Sequence, residues 1–211
     1  MNIIQKKSPN YVSGRSDFSI KGICYHITGD SNYNQAVSWL CDPKSKASTH
    51  YVIEKNGDIF QLVQDADTAW AQGIVNAPSA KIYFDNGSKN PNNYLISIEV
   101  VSKGEVLTVE QWQALTELTV LLTSKYKIPL TYYNLIGHNQ LNAVDRKFDP
   151  VTSYTIEQVI DYTEFEIGIQ YLVNKGVVSS PDYWRTFAIS GAICRGDYVR
   201  GLIKNIGDLY N

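Results

Sequence analysis

IKGICYHI, residues 20–27, is largely apolar and carries a histidine near its end. Ile20, Ile23, Cys24, Tyr25 and Ile27 do not alternate with polar residues. A strand of that kind is covered on both faces, which is the environment of a sheet with helices packed on it. Thr28-Gly29-Asp30 follows, so His26 stands where a strand feeds a loop, a common place for a functional side chain.

The flanking chain supplies the other layers. Residues 1–19 are polar, contain Pro9 and Gly14, and read as an arm or short edge element. SNYNQAVSWLC, 31–41, predicts a helix with Ala36, Val37 and Leu40 on one face and Asp42-Pro43 at its end. THYVIEKNGDIFQLV, 49–63, predicts an antiparallel hairpin, with Asn56-Gly57 at the centre of a type I′ turn. Trp70 in DADTAWAQG reads as a packing anchor or part of a cleft wall. Residues 74–93 hold Pro78, Gly87, Pro91 and several asparagines, and read as a long loop: a groove wall, a lid or a surface excursion.

NYLISIEVV, 93–101, is a further strand. Glu99 lies inside it, and there a carboxylate must face solvent, a partner, or a site that raises its pKa by desolvation. LTVEQWQALTELTVLLTSKYKI, 107–128, predicts a long helix. Thr108 and Gln111 form its capping box, and its apolar stripe is Val109, Trp112, Leu115, Leu118, Leu121 and Leu122. Pro129 stops it, and YYNLIGHN, 132–139, reads as a strand ending at His138. The order β, α, ββ, β, α, β predicts an α/β fold with a mixed central sheet flanked by helices.

From residue 154 the character changes. A capping box at Thr155 and Gln158 opens a helix to about Asn174, Ser180-Pro181 opens a second, and a third is expected from Asp197 to about Ile206. The expected division is a main domain over 1–153 and a small helical appendage over 154–211.

Composition narrows the function classes. The 211 residues are 44% hydrophobic with a net charge of −2, which leaves no basic surplus for gripping nucleic acid. No apolar run reaches 18 residues, so no membrane insertion is expected. MNIIQKKSPNYVSGR lacks an apolar stretch of signal-peptide length, so no secretory signal is expected and synthesis is placed in the cytoplasm. Cys24, Cys41 and Cys194 are few, odd in number and widely spaced, as free thiols are.

GHNQLNAVDRKFDP, 137–150, carries the chemistry. Asp149 follows His138 by eleven residues, and Lys147 precedes Asp149 by two. Alone, His138 reads first as a residue that caps or pads a loop. But His26 and His138 both end apolar strands, and parallel neighbours would bring their imidazoles together at one sheet edge, where α/β sites gather. Two imidazoles and a carboxylate with an open fourth position is the pattern of a catalytic zinc. In extended chain Lys147 and Asp149 point the same way, which would set an ammonium near the metal.

From about residue 20 to 150 the chain resembles the type 2 N-acetylmuramoyl-L-alanine amidases, zinc enzymes that include endolysins, autolysins and peptidoglycan-recycling amidases. The likeness rests on ICYHIT, PKSKASTHYVIEKNGDIFQLV, DTAW, YLISIEV, TVEQWQALTELT and IGHNQ…DRKFDP in that order. It implies zinc (Zn2+) held by His26, His138 and Asp149, a catalytic carboxylate at Glu99, a transition-state-stabilising cation at Lys147 and a structural role for His50. It implies peptidoglycan as substrate and hydrolysis of the amide between N-acetylmuramic acid and L-alanine. A lytic enzyme acting at the cell wall after release is the first expectation; a cytoplasmic muropeptide-recycling amidase and a non-lytic peptidoglycan-binding module are the alternatives. Three positions depart from the pattern: Thr49 replaces a tyrosine of some branches, Ala71 a cleft histidine, and Val151 a glycine. LVNKGVVSSPDYW with GDYVRGLIKNI resembles a helical segment that follows several cell-wall hydrolase domains, which implies wall attachment or stabilisation.

Overall fold

The computed structural model describes residues 1–190 and Ile203. Its centre is strand β3, Gly22–Ile27, in which Ile23, Cys24 and Tyr25 have no exposure. The other strands are β1 (Ile3–Gln5), β2 (Tyr11–Val12), β4 (Tyr51–Ile53), β5 (Ile59–Gln61), β6 (Thr68–Ala69), β7 (Leu95–Val100) and β8 (Leu135–Gly137). Six of them form one sheet in the order β1-β5-β4-β7-β3-β8. The β4–β5 hairpin is antiparallel and every other pair is parallel, so the sheet is mixed as expected. Strands β2 and β6 form a separate antiparallel pair.

Helices cover both faces. On one face, Ile23, Tyr25, Ile96, Ile98 and Leu135 pack beneath helix α3, Val109–Tyr126, through Trp112, Leu115, Leu118 and Leu122. On the other, helix α1, Tyr33–Cys41, sets Val37 and Leu40 against Val52 and Leu62. The short helix α2, Lys81–Asp85, sets Ile82 against Cys24, Leu95 and Ile136. The α3 capping box is formed: Thr108 Oγ1 accepts from the Gln111 amide and Gln111 Oε1 from the Thr108 amide. Thr108 Oγ1 also donates to the Lys55 carbonyl, which ties the helix to the hairpin turn. Leu121 falls outside the buried stripe at 39% exposed.

Two expectations are corrected. The hairpin turn is not type I′, because Gly57 has a φ of 85° while Asn56 is not left-handed. The Gly57 amide donates to the Glu54 carbonyl and the Glu54 amide to the Asp58 carbonyl. This is a three-residue loop, a type I turn followed by a left-handed glycine. The cause is local: Asn56 Oδ1 accepts from the Asp58 amide, a side-chain turn that holds Asn56 out of the left-handed region. Nor are residues 74–93 a structureless loop. They contain α2 and a 3-10 turn at Pro91–Asn93, and the Ser79 and Ala80 amides donate to the Gln140 carbonyl. Asn92 Oδ1 accepts from the Ala71 and Gln72 amides, so the segment is anchored rather than loose.

The C-terminal helices begin with α4, Ile156–Asn174, opened by the expected capping box at Thr155 and Gln158. Val159 and Ile160 join the same core as Trp112 and Tyr154, so the helical segment packs directly on α3. Helix α5, Pro181–Ser190, is clamped to α4 by Arg185, which donates to both oxygens of buried Glu166 at 2.8 and 2.6 Å. The expected third helix lies outside the described residues except for Ile203, and Cys194 lies outside them too.

Candidate metal centre and cleft

Strand register builds the first part of the site. His26 on β3 pairs with Glu99 on β7, and Tyr25 pairs with Gly137 on β8. His138 is the next residue after Gly137, so it stands level with His26. Glu99, His26 and His138 therefore form a row across the C-terminal ends of three adjacent parallel strands. The row lies on the face that also carries Cys24 and Val52, away from α3, between the packing of α1 and that of α2.

Asp149 completes the site from the turns that follow β8. Its carbonyl accepts from the Asn139 amide at 2.8 Å, and its own amide donates to the Arg146 carbonyl at 3.0 Å. Asp149 Oδ1 accepts the Ile27 amide at 2.8 Å. That leaves Oδ2 facing the imidazoles, 3.0 Å from His138 Nδ1 and 3.7 Å from His26 Nδ1. The two Nδ1 atoms are 3.0 Å apart.

The donor set fits a metal ion. His138 Nε2 lies 3.1 Å from the Gln72 carbonyl, which only accepts, so that nitrogen carries the ring proton. His138 Nδ1 then presents a lone pair to His26 Nδ1 and to Asp149 Oδ2. Three lone-pair atoms within 4.8 Å of one another, two nitrogens and one oxygen, are a cation site of the borderline type that zinc prefers. The Gln72 carbonyl is the outer partner that fixes the His138 tautomer.

Electrostatics set the remaining groups. Burial and the facing His138 ring push the His26 pKa down, which keeps the ring neutral and able to ligate. Burial would raise Asp149, but the His138 and His26 contacts hold its carboxyl well below the usual carboxylate range. Glu99 is half-buried, and its Oε2 is enclosed with no hydrogen-bond partner among the described residues. Burial and the Asp149 charge push its carboxyl well above the usual range, while Arg146 pulls it partly back.

A cleft of about 280 Å³ opens over this row. Trp39 and Gln35 of α1, Trp70, Ala71 and Arg146 line it beside Glu99, His138 and Asp149. Trp70 is thus a wall residue, and Trp39 is 60% exposed on the same cleft.

Lys147 is placed differently from His26, His138, Asp149 and Glu99. Its ammonium lies 4.6 Å from the Phe148 ring centroid, and the cation lining the cleft is its neighbour Arg146. Residues 143–152 turn instead of running extended, so Lys147 and Asp149 do not point the same way: the Arg146 amide donates to the Asn142 carbonyl, and the Asp149 amide to the Arg146 carbonyl. In a helical turn, residues three apart share a side, so Arg146 accompanies Asp149. The sequence reading also missed the Gln72 carbonyl and Trp39. Nothing in the sequence marks the former, while Trp39 follows the α1 stripe by position.

His50 stands apart from the cluster. Its Nδ1 accepts the Ser97 amide at 3.0 Å, and its Nε2 faces the Asp67 carbonyl at 3.2 Å, which ties β4 to β7 and to the chain before β6. Thr49 Oγ1 donates to the Ser97 carbonyl nearby.

Residues 16–152 match the Amidase_2 family model, described as N-acetylmuramoyl-L-alanine amidase. The chain belongs to this family. Among curated relatives, the 1,6-anhydro-N-acetylmuramyl-L-alanine amidase AmpD of Haemophilus influenzae is 32% identical over 106 residues, 50% of this chain and 52% of that protein. The chain thus spans about half the length of this relative. Among solved structures, a selenomethionine AmpD crystal structure matches at a TM-score of 0.55 and 22% identity, over 74% of this chain and 92% of the other. The endolysin N-acetylmuramoyl-L-alanine amidase LysCS of Clostridium intestinale matches at 0.51 and 18%, over 75% and 92%. At these identities the likeness shows the Amidase_2 fold: a mixed sheet flanked by helices. No helix among the described residues is long and apolar enough to cross a membrane.

His50 gives this family member a pH signature. Burial, and then the charge of Arg15, push its pKa down to about 3. An unfolded histidine titrates near ~6.5. Between those values the unfolded chain binds a proton that the folded chain does not. His50's contribution is therefore complete above about pH 6.5 and is lost as pH falls, by at most about 1.4 kcal/mol per pH unit. His26 acts with the same sign. Urea unfolding of the metal-free protein from pH 7.5 to 4.5 is expected to show this slope, and His50→Gln a shallower one. Equal slopes would contradict the buried neutral assignment.

Proposed function

We propose that this chain is a zinc-dependent N-acetylmuramoyl-L-alanine amidase. It would cleave the amide that joins the lactyl group of N-acetylmuramic acid to the L-alanine of the peptidoglycan stem peptide. The observation that carries this reading is the convergence of three lone-pair atoms beside a half-buried carboxylate with one enclosed, unpartnered oxygen at the foot of an open cleft. His26, His138 and Asp149 would hold the zinc, which when bound supplies Lewis-acid polarisation of the substrate carbonyl and lowers the pKa of water.

The chain's own groups do the rest. Glu99, level with His26, accepts the proton of the attacking water and returns a proton to the departing amine. Asp149 keeps one oxygen on the Ile27 amide, so the other stays aimed at the centre. The Gln72 carbonyl holds His138 in the ligating tautomer. Trp39 and Trp70 line the cleft. The family resemblance gives Lys147 the charge that builds on the carbonyl oxygen, which requires its ammonium to leave the Phe148 ring. Residues 154–211 are read as a helical appendage for wall attachment or stabilisation, and its helix α4 packs on α3.

The first reading of the biological role is lytic, with the polymeric wall as substrate; an endolysin among the structural neighbours is consistent with it. The second is muropeptide recycling, favoured by the curated relative whose named substrate class is 1,6-anhydro-muramyl peptides. Zinc-loaded protein, incubated with intact sacculi and separately with soluble anhydro-muropeptides, is expected to release new N-terminal alanine from both and to lose activity on chelation. Activity on the soluble fragments alone would overturn the lytic role, and activity that survives complete chelation would overturn the zinc assignment. In the same assay Lys147→Ala is expected to retain zinc and fold but to lose on the order of 100-fold in kcat, as for removal of one oxyanion contact. An unchanged kcat would take that role from Lys147.

A further inference from the structure

We propose that Arg146 is a specificity-determining residue that pairs with a carboxylate on the second residue of the stem peptide. It would make the cleft favour a stem with a free carboxylate there over its carboxamide form. This inference rests on the amidase reading and extends it to the peptide side of the substrate.

Arg146 is the one lysine or arginine among the described residues lining the cleft. It is exposed, and its side chain makes no hydrogen bond or ion pair with the described residues. The nearby acids do not take it up. Asp149 has one oxygen on the Ile27 amide and the other on the imidazoles. Glu99 is half-buried, with Oε2 enclosed. A guanidinium in such a place keeps all five of its N–H donors for a ligand.

The base of the side chain is fixed, which favours recognition over a passing contact. The Arg146 amide donates to the Asn142 carbonyl. Asn142 in turn accepts the Val144 and Asp145 amides through Oδ1 and donates from Nδ2 to the Ile74 carbonyl. The turn that carries Arg146 is thereby pinned to the segment at Ile74.

Chemistry and reach select the ligand group. The planar guanidinium fork matches a carboxylate with two parallel hydrogen bonds, whereas a carboxamide offers one acceptor oxygen and no charge. The remaining charged residues on the cleft, Asp30, Glu99 and Asp149, are all acids. A single planar carboxylate is tolerated in that surrounding far better than a dianion. Arg146 is three residues from Asp149, a separation of roughly 5–6 Å between Cβ atoms. A peptide residue in extended form spans roughly 3.3 Å. With the scissile amide over the centre, the group within reach of Arg146 is on the residue after L-alanine.

The test uses the full, zinc-loaded chain and two synthetic substrates: N-acetylmuramoyl-L-alanyl-D-glutamate with its γ-carboxyl blocked as the methylamide, and the same compound with the α-carboxylate as carboxamide. The wild type is expected to prefer the acid in kcat/KM by roughly tenfold. Arg146→Gln is expected to bring the ratio near one by raising KM for the acid, and Arg146→Lys to restore part of the preference. A ratio unchanged by Arg146→Gln would overturn the proposal. So would an equal fall in kcat on both substrates, which would move Arg146 to the reacting oxygen. If the wild type cuts neither substrate, the amidase reading fails, and calorimetric binding of the same two compounds then reads the Arg146 claim by itself. Tighter binding of the acid by wild type but not by Arg146→Gln supports it; equal binding overturns it.

Discussion

The parallel register of β3 between β7 and β8 is the constraint on which the site depends. It lifts Glu99, His26 and His138 to one level on one face of the sheet. A slip of one residue in any of these strands would turn its side chain to the α3 face. Gly22 allows the approach at the far end of β3: a Cβ there would meet the Asn134 carbonyl at 2.3 Å, so any larger residue would push β8 away. The strand core secures the same register from the other side, since Ile23, Tyr25, Ile96, Ile98 and Leu135 fill the face beneath α3. Tyr25 also bonds Thr119 on that helix. Stability of the core and alignment of the site are thus one arrangement seen from two faces.

Asp149 shows how the irregular part of the chain is made to serve that row. It arrives eleven residues after His138 through a series of turns, yet each turn is anchored. Asn142 is bonded to Ile74, Val144 and Asp145, and Gln140 accepts the Ser79 and Ala80 amides. The Ile27 amide then takes Asp149 Oδ1 at the end of β3. The Asp149 carboxylate is therefore oriented by the same strand that carries His26. The convergence of lone pairs costs electrostatic repulsion in the absence of a cation, and a bound metal relieves it.

Much of this was legible in the sequence, because local chemistry wrote it. The apolar run of β3 required cover on both faces. The capping boxes at Thr108 and Thr155 opened helices where expected. Histidines at two apolar strand ends suggested adjacency, and β3 and β8 are indeed parallel neighbours. What escaped depended on contacts far apart in sequence, or on backbone that spacing does not fix. Glu99 reads the same in sequence whether its carboxylate faces open solvent or sits half-buried with one oxygen unpartnered. The hairpin turn took its form from the Asn56 side chain rather than from the Asn-Gly pair itself. Residues 74–93 looked loose because their anchors, Gln140, Asn142 and Asn92, bind through single atoms. The Lys147 argument assumed extended chain where the structure turns, and that difference of backbone is what puts Arg146 on the cleft.

The central claim is that His26, His138 and Asp149 form one zinc centre. Zinc K-edge X-ray absorption on the protein loaded with one equivalent of zinc tests it most directly. Two imidazole nitrogens with carboxylate and further oxygen scattering, and no sulfur, is the predicted first shell. A sulfur ligand, or a shell with no imidazole contribution, would contradict the account.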